Sequence, residues 1–455
     1  MREVLCRMDQ GFGCKLAISA LSRFGLRRLG VQLSFSVVFR SAILLFATVG
    51  GSFHACAAGI IDLTASWDGA PETVFDADSG RCDKTDIPDQ SARAFRDANG
   101  QVHLFATHYI ARAMVGPDLS AVKHECHVVY RSLEDANPSH FLDRNWLESF
   151  YTGDGLRVVA LLHSEFEGSL HPGMCIRAIG DHPAPSRCWW TTITMAMSHD
   201  GGDNFASPAP PKNLVASLPY QYDRTYTASG YGYEQPTNII KINDYYYGMI
   251  LDWPYKSQKY GPCLIRTSDP YDAAAWRAWD GAGFNIRFIN PYVERGFHPE
   301  NHVCIPVGAP SIYSPGSLSV HRSGDFYVTT ELAYDHRFGK PGLYIAASSD
   351  LIHWSKPSMV ASIDGMLQEE PAGRWRYGYA ALLDPTAKDR NFMTVSDTPF
   401  MYYVRFNSIR GNLSRTLMRR RVRLDLRSAT SGQANAYPAP PIGFSPGHYD
   451  PEADN

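Results

Sequence analysis

Short apolar runs rich in Val, Ile, Tyr and Phe, separated by turn residues, occupy most of the chain, and nowhere is a helical apolar spacing kept for a useful length. Five segments read as strand signals of this kind: SARAFRDANGQVHLFATH, LRVVALLHSEF, PTNIIKINDYYYGMIL, SLSVHRSGDFYVTTEL and YAALLDPTAKDRNFMTVSD. Turn chemistry at Asn99-Gly100, Asn243-Asp244 and Ser323-Gly324 divides three of them into hairpins. Four further strands run into a Ser-x-acid turn closed by an aromatic: VVYRSLEDANPSHF, ITMAMSHDGGDNF, CLIRTSDPYDAAAW and LYIAASSDLIHW. A fifth, PFMYYVRFNS, lacks the acid. The acidic positions recur about every 70 residues, too far apart for short WD-type repeats of about 40–45. A unit of short strands recurring five times predicts an all-β fold, a five-bladed β-propeller over residues 59–427. A β-sandwich or a pair of unrelated β-domains is the competing architecture.

Composition agrees with a β-rich, loop-rich chain: 455 residues, 12% aromatic, with 37 Gly and 30 Pro. The near balance of 43 Lys+Arg against 46 Asp+Glu argues against a nucleic-acid partner. Residues 1–58 read as an export leader. A basic, acid-poor stretch (Arg2 to Arg40) precedes the apolar SAILLFATVGG and an Ala-x-Ala-like site at Ala55-Cys56-Ala57. The apolar run is too short to span a membrane, so the mature chain is expected in the periplasm or secreted, as a monomer without stable membrane insertion. Lipidation at Cys56 stays open. Beyond the leader six of the nine cysteines remain, and in an oxidising compartment they predict three disulfides. Cys175–Cys188 is the best local pair; the other two are undetermined among the 15 connectivities that six cysteines allow. No cysteine or histidine cluster has zinc spacing, and no metal site or cofactor is predicted; a channel-bound calcium ion stays open. Residues 428–455, rich in Pro, Gly and Ala, read as a draped tail.

The Ser-x-acid turns read as scaffold. In SHDGGDNF, Asp200 is placed to accept backbone N–H bonds while Phe205 tucks beneath the hairpin, and Asp269, Asp350 and Trp354 repeat the arrangement. Chemistry is expected instead where the innermost strand of each blade lines a central channel. Asp86, Asp89 and Arg93 open the first blade. His163, Glu165 and Glu167 share one face of a strand taken as the second blade's inner edge. Glu234 heads the third blade, and Asp384 lies in the fifth. Burying a carboxylate such as Glu165 in an apolar strand is costly without a purpose. Converging carboxyl groups are what glycosidic cleavage requires: one protonated to serve the leaving oxygen, one ionised to activate water or attack carbon. A third raises the acid's pKa by like-charge repulsion.

With these features the chain resembles the five-bladed propeller glycoside hydrolases of the arabinanase, β-xylosidase and invertase type, and its Asp-box turns are similar to those of sialidases. The resemblance implies Asp89 as base, Glu165 as the carboxylate that tunes the acid, Glu234 as proton donor, and inversion at the sugar carbon. Arg93, His163, Trp253 and Asp384 are the expected substrate contacts, with Tyr231, Tyr233 and Tyr255 as further stacking candidates. Pro88 precedes Asp89, and the family's base usually lies in an Asp-Pro type segment, so Asp86 remains a rival. The tuning residue is usually Asp rather than Glu. A sialidase would need an arginine triad, for which Arg93, Arg224 and Arg405 are available, but no Arg-Ile-Pro segment opens the first blade. The expected function is an exported glycoside hydrolase with a carbohydrate substrate. A non-catalytic carbohydrate-binding propeller and a sialidase-like enzyme are the alternatives.

Overall fold

The computed structural model describes residues 60–176, 188–226, 230–370, 374–407 and 414–429. The chain divides between Ala57 and Ala58 into two units, and every described residue belongs to the second. The leader, Cys56 and the tail beyond Ala429 lie outside the described residues.

The described chain is almost all β; its α-helices, Ala77–Gly80 and Ile363–Gln368, are short. The strands form antiparallel runs in chain order. Arg93–Arg96, Val102–Phe105, Met114–Gly116 and Lys123–His124 make the first. Asn145–Thr152, Val158–Glu167, Trp189–Ser198 and Leu214–Ala216 make the second. Tyr231–Glu234, Tyr245–Trp253, Gly261–Thr267 and Arg277–Ala278 follow, joined to the second run by a brief parallel pairing, Trp190 with Tyr231 and Thr191 with Gly232. Pro315–His321, Tyr327–Ala333, Gly342–Ser348 and Ser358–Ser362 form the fourth. The last contains Trp375–Leu383, Phe400–Asn407 and Arg415–Ala429, and its outer strand is Ile60–Trp67 from the start of the described chain. That pairing carries Arg415–Ala429 past the boundary expected at residue 427.

Alternation places one face of each strand against the preceding run and the other against the following one, so the core is layered. Phe95, Phe105, Leu147, Phe150 and Leu162 pack the first run on the second. Leu161, Ile193, Ile250 and Ile265 pack the second on the third. Met249, Leu264, Leu318 and Ala346 join the third to the fourth. Val328, Ile345, Leu382 and Met401 join the fourth to the fifth, and Ala94, Leu104, Leu383 and Val404 join the fifth back to the first. Each fully buried Leu, Ile or Phe contributes roughly 1.5–3 kcal/mol.

Side-chain hydrogen bonds stitch the innermost strands in the same cyclic order. The Gln90 amide donates to the Leu147 carbonyl, and Ser149 Oγ donates to Thr237 O at 2.6 Å. Leu318 N donates to Asn238 Oδ1 at 2.9 Å, Leu382 N to Ser317 Oγ at 3.0 Å, and Tyr379 Oη to Asp89 Oδ1 at 3.1 Å.

Three disulfides are present, Cys82–Cys126, Cys175–Cys188 and Cys263–Cys304, the number expected and including the pair read from sequence. Two expectations about strands are corrected. The first strand of the second run is Asn145–Thr152, not Val158–Glu167, which lies second. Tyr130–Arg131, in the first Ser-x-acid segment, pairs with Ile110–Ala111 outside the first run, whose third strand is Met114–Gly116.

Candidate active site

Glu234 ends the strand Tyr231–Glu234, whose entry is set by a close backbone approach. Gly232 has a φ of +119°, and a Cβ there would stand 2.0 Å from Thr191 O, so only glycine permits the parallel pairing beside it. The carboxyl that follows is 2% exposed. Burial pushes its pKa up to about 7, opposed by the neighbouring Trp253 indole. Its Oε2 atom has no hydrogen-bond partner, and His163 Nε2 lies 3.9 Å away.

Asp89 is also buried. Its carboxylate pairs with Arg415, accepts from Tyr379, and has His108 Nε2 at 3.4 Å. Burial, against the pull of Asp89, holds His108 down at about 4, a neutral ring beside the ion pair. Between Asp89 and Glu234 electrically stands a residue that sequence reasoning missed. Glu148, in the strand Asn145–Thr152, is 4% exposed, and burial first pushes its pKa up to about 8. The nearby Arg93 opposes that rise, and the charges of Glu234 and Asp89 add to it. Glu148 is thus the carboxyl that senses both others.

Glu165 is the carboxyl expected to tune the acid. Glu165 lies on the second strand of its run, 17% exposed at the side chain, and faces His163 Nε2 at 3.6 Å. His163 therefore stands between Glu165 and Glu234, and burial holds it down at about 3. Its ring packs on Trp146, at 5.8 Å between centroids. Glu167 is committed to Arg144, at 2.9 Å.

The other candidates separate clearly. Asp86 accepts from His124 at 2.7 Å and from Cys82 N at 2.8 Å, which anchors it to the Cys82–Cys126 loop. Arg93 is buried, and its guanidinium donates to the carbonyls of Ala92, Pro236 and Gly316, a central brace with its donors turned to backbone. Asp384 is a turn residue: it accepts from Thr386 N, Thr386 Oγ1 and Ser396 N. Trp253 stands beside Glu234, with Tyr260 at 5.4 Å. Tyr231, Tyr233 and Tyr255 are core residues instead; Tyr233 Oη donates to Gln258 and Tyr255 Oη to Asp223. Arg405 is paired with Glu370 at 2.6 Å, so Arg93 and Arg405 are both engaged away from the triad a sialidase would need.

Two groups among the described residues have metal-ligand spacing, Cys82/Asp86/His124 and Asp252/Cys263/Cys304. The sulfurs of both are in disulfides and offer no thiolate. Of the missed residues, Glu148 alone left a signal: an acid inside the apolar run NWLESFYT, ended by Gly-Asp-Gly. Arg415, Tyr379 and His108 meet Asp89 only through the fold.

No protein-family model and no curated protein matches the chain. Among solved structures the chain is similar to an α-L-arabinanase from Cellvibrio cellulosa, with 12% identity, 75% of this chain and 91% of that one covered, and a TM-score of 0.39. It is similar to a thermostable family-43 glycoside hydrolase, with 12% identity, 78% and 97% covered, and a TM-score of 0.41. It is also similar to a GH32 β-fructofuranosidase from Bombyx mori, with 9% identity, 72% and 58% covered, and a TM-score of 0.37.

Proposed function

We propose that this chain is an exported glycoside hydrolase, folded as a five-bladed β-propeller, that cleaves glycosidic bonds in poly- or oligosaccharides. The cyclic sequence of core layers and inner-strand hydrogen bonds supports the propeller reading. The observation that carries the chemistry is Glu234, a carboxyl 2% exposed with its Oε2 unpartnered, which burial pushes up to about 7. Glu234 is the proton donor to the leaving oxygen. Asp89 is the base, oriented by Arg415 and Tyr379. Glu148, rather than Glu165, is the carboxyl that couples them. Trp253 stacks on a sugar face beside the donor. No cofactor takes part.

The test is a screen of the purified mature protein against polysaccharides and aryl glycosides, followed by Glu234→Gln on any substrate cleaved. The amide keeps the size of the acid but cannot donate its proton, so turnover of a natural glycoside should fall by roughly 10²–10⁴-fold. Aryl glycosides with good leaving groups should lose far less, whereas Asp89→Asn should disable both substrate kinds. Full activity of Glu234→Gln on a natural glycoside removes Glu234 from the donor role. Binding of a glycan without cleavage of any substrate favours the non-catalytic alternative.

A further inference from the structure

A buried acid that gives up a proton must recover it before the next cycle, and the Glu234 side chain is only 3% exposed. His163 Nε2 lies 3.9 Å from Glu234 Oε2 and 3.6 Å from Glu165 Oε1. Both separations exceed hydrogen-bond length by less than about 1 Å, a gap that a small shift of the imidazole ring closes. His163 Nε2 and Glu234 Oε2 are both buried without a hydrogen-bond partner. Glu165 is the more exposed carboxyl, 17% at the side chain against 3% for Glu234. His163 and Glu165 share one face of Val158–Glu167 because side chains alternate along a strand.

We propose that Glu165 and His163 form a proton-return path from solvent to Glu234. It rests on reading Glu234 as the proton donor. After the donor has lost its proton, protonated Glu165 gives its proton to the lone pair on His163 Nε2, leaving a carboxylate and an imidazolium. The imidazolium passes the same proton to the Glu234 carboxylate, which restores the neutral ring and the carboxylic acid. Glu165 then takes a proton from a buffer acid, so one proton enters for each one delivered. The groups facing His163 suit such a relay. Glu165 and the newly ionised Glu234 flank it, the Asp89 charge favours its cationic form, and Trp146 fixes its ring. Burial keeps the ring neutral at rest and ready to accept.

The path is tested first without substrate. After a rapid downward pH jump, time-resolved infrared spectroscopy follows the carboxylic acid band of Glu234, identified by its loss in Glu234→Gln. His163→Phe and Glu165→Gln should both slow the appearance of that band, and added imidazole should restore the rate in His163→Phe. Equal rates in the wild type and both variants overturn the proposal, as does a slow His163→Phe that imidazole leaves unchanged. Glu165→Gln, a change at a partly exposed side chain, decides the matter if His163→Phe does not fold. On a cleaved glycoside the same variants should lower kcat by roughly 10²-fold with kcat/KM kept, because proton return follows bond cleavage. An equal fall in kcat and kcat/KM overturns the return role. Slow protonation in the variants of a protein that cleaves no glycoside refutes the hydrolase reading and leaves the path intact.

Discussion

At the scale of single residues, the balance between burial and the Trp253 indole sets the working range of Glu234. In the proposed donor role, Glu234, pushed up to about 7 by burial, is loaded below that pH and empties above it. Turnover of a natural glycoside should therefore fall about tenfold per pH unit on the alkaline side of about 7. Trp253→Phe removes the group that favours the carboxylate, so the pH–rate profile should shift its alkaline limb upward; a limb that stays or moves down refutes the pairing. Burial has a second consequence. Glu331, which accepts from Tyr313 N and Ser314 N, is likewise pushed up to about 7 by burial. Its folded pKa lies above the ordinary glutamate value of 4.5, so the unfolded chain releases this proton first as pH rises. The stability it contributes is complete below the ordinary carboxylate range and is lost as pH climbs towards 7. Urea unfolding at pH 5 and pH 8 should show that Glu331→Gln narrows the gap between the two by about 2–3 kcal/mol. Glu234 is legible in the sequence because an acid closes an otherwise apolar strand. Glu148 carries the same signal, but its segment competes with the equally apolar Val158–Glu167 beside it. For Arg415 and Tyr379, which reach Asp89 from the far end of the chain, no local pattern exists.

The strand ends are legible wherever their chemistry is local. Gly100, Asn243 and Gly324, read as turn positions, all adopt positive φ. The Asp-box turn of the second run is also built as read. Asp200 accepts from Asn204 N at 3.0 Å and from Ser198 Oγ at 2.6 Å, and Phe205 tucks into the core beside Phe105 and Phe150. Asp200 itself is exposed, so its replacement by Ala should cost only about 1 kcal/mol, the value of an ordinary hydrogen bond. Ser198 is 1% exposed, and its Oγ accepts from Gly202 N at 2.9 Å, so Ser198→Ala should cost at least as much. Thermal unfolding of the two variants checks the order, and lost activity with unchanged melting would move Asp200 from scaffold to site. The misplaced inner strand has a plain cause. Asn145–Thr152 and Val158–Glu167 are buried almost throughout, so polarity does not alternate along either, and nothing local says which faces the centre.

For the whole molecule, recurrence in the sequence foretold repeated β-units, and the six cysteines beyond residue 58, read as lying in an oxidising compartment, foretold the three disulfides that are present. Thiol titration of the unfolded, unreduced mature protein should accordingly find almost no free thiol. Loop length ranks the bonds: Cys263–Cys304 closes a separation of 41 residues and Cys175–Cys188 one of 13. Chain entropy makes loss of the longer loop more destabilising by about 1 kcal/mol, a difference that melting of the two double-serine variants measures. What the sequence hid is the closure. Ile60–Trp67 is the first described strand and carries no turn partner, and its mate is Arg415–Ala429, the last described strand. Deleting Ile60–Trp67 should lower the melting temperature and bare the edge of Val422–Ala429, seen as aggregation in size-exclusion chromatography. That ladder also constrains time. Ile60 pairs with Ala429, so the last sheet cannot be completed until synthesis has passed Ala429. With Ile60–Trp67 waiting for Arg415–Ala429, the sheet stays unfinished while all the residues between them are made. Such late closure agrees with the export proposed above, in which the chain would cross a membrane unfolded and then finish folding and oxidise its cysteines on the far side.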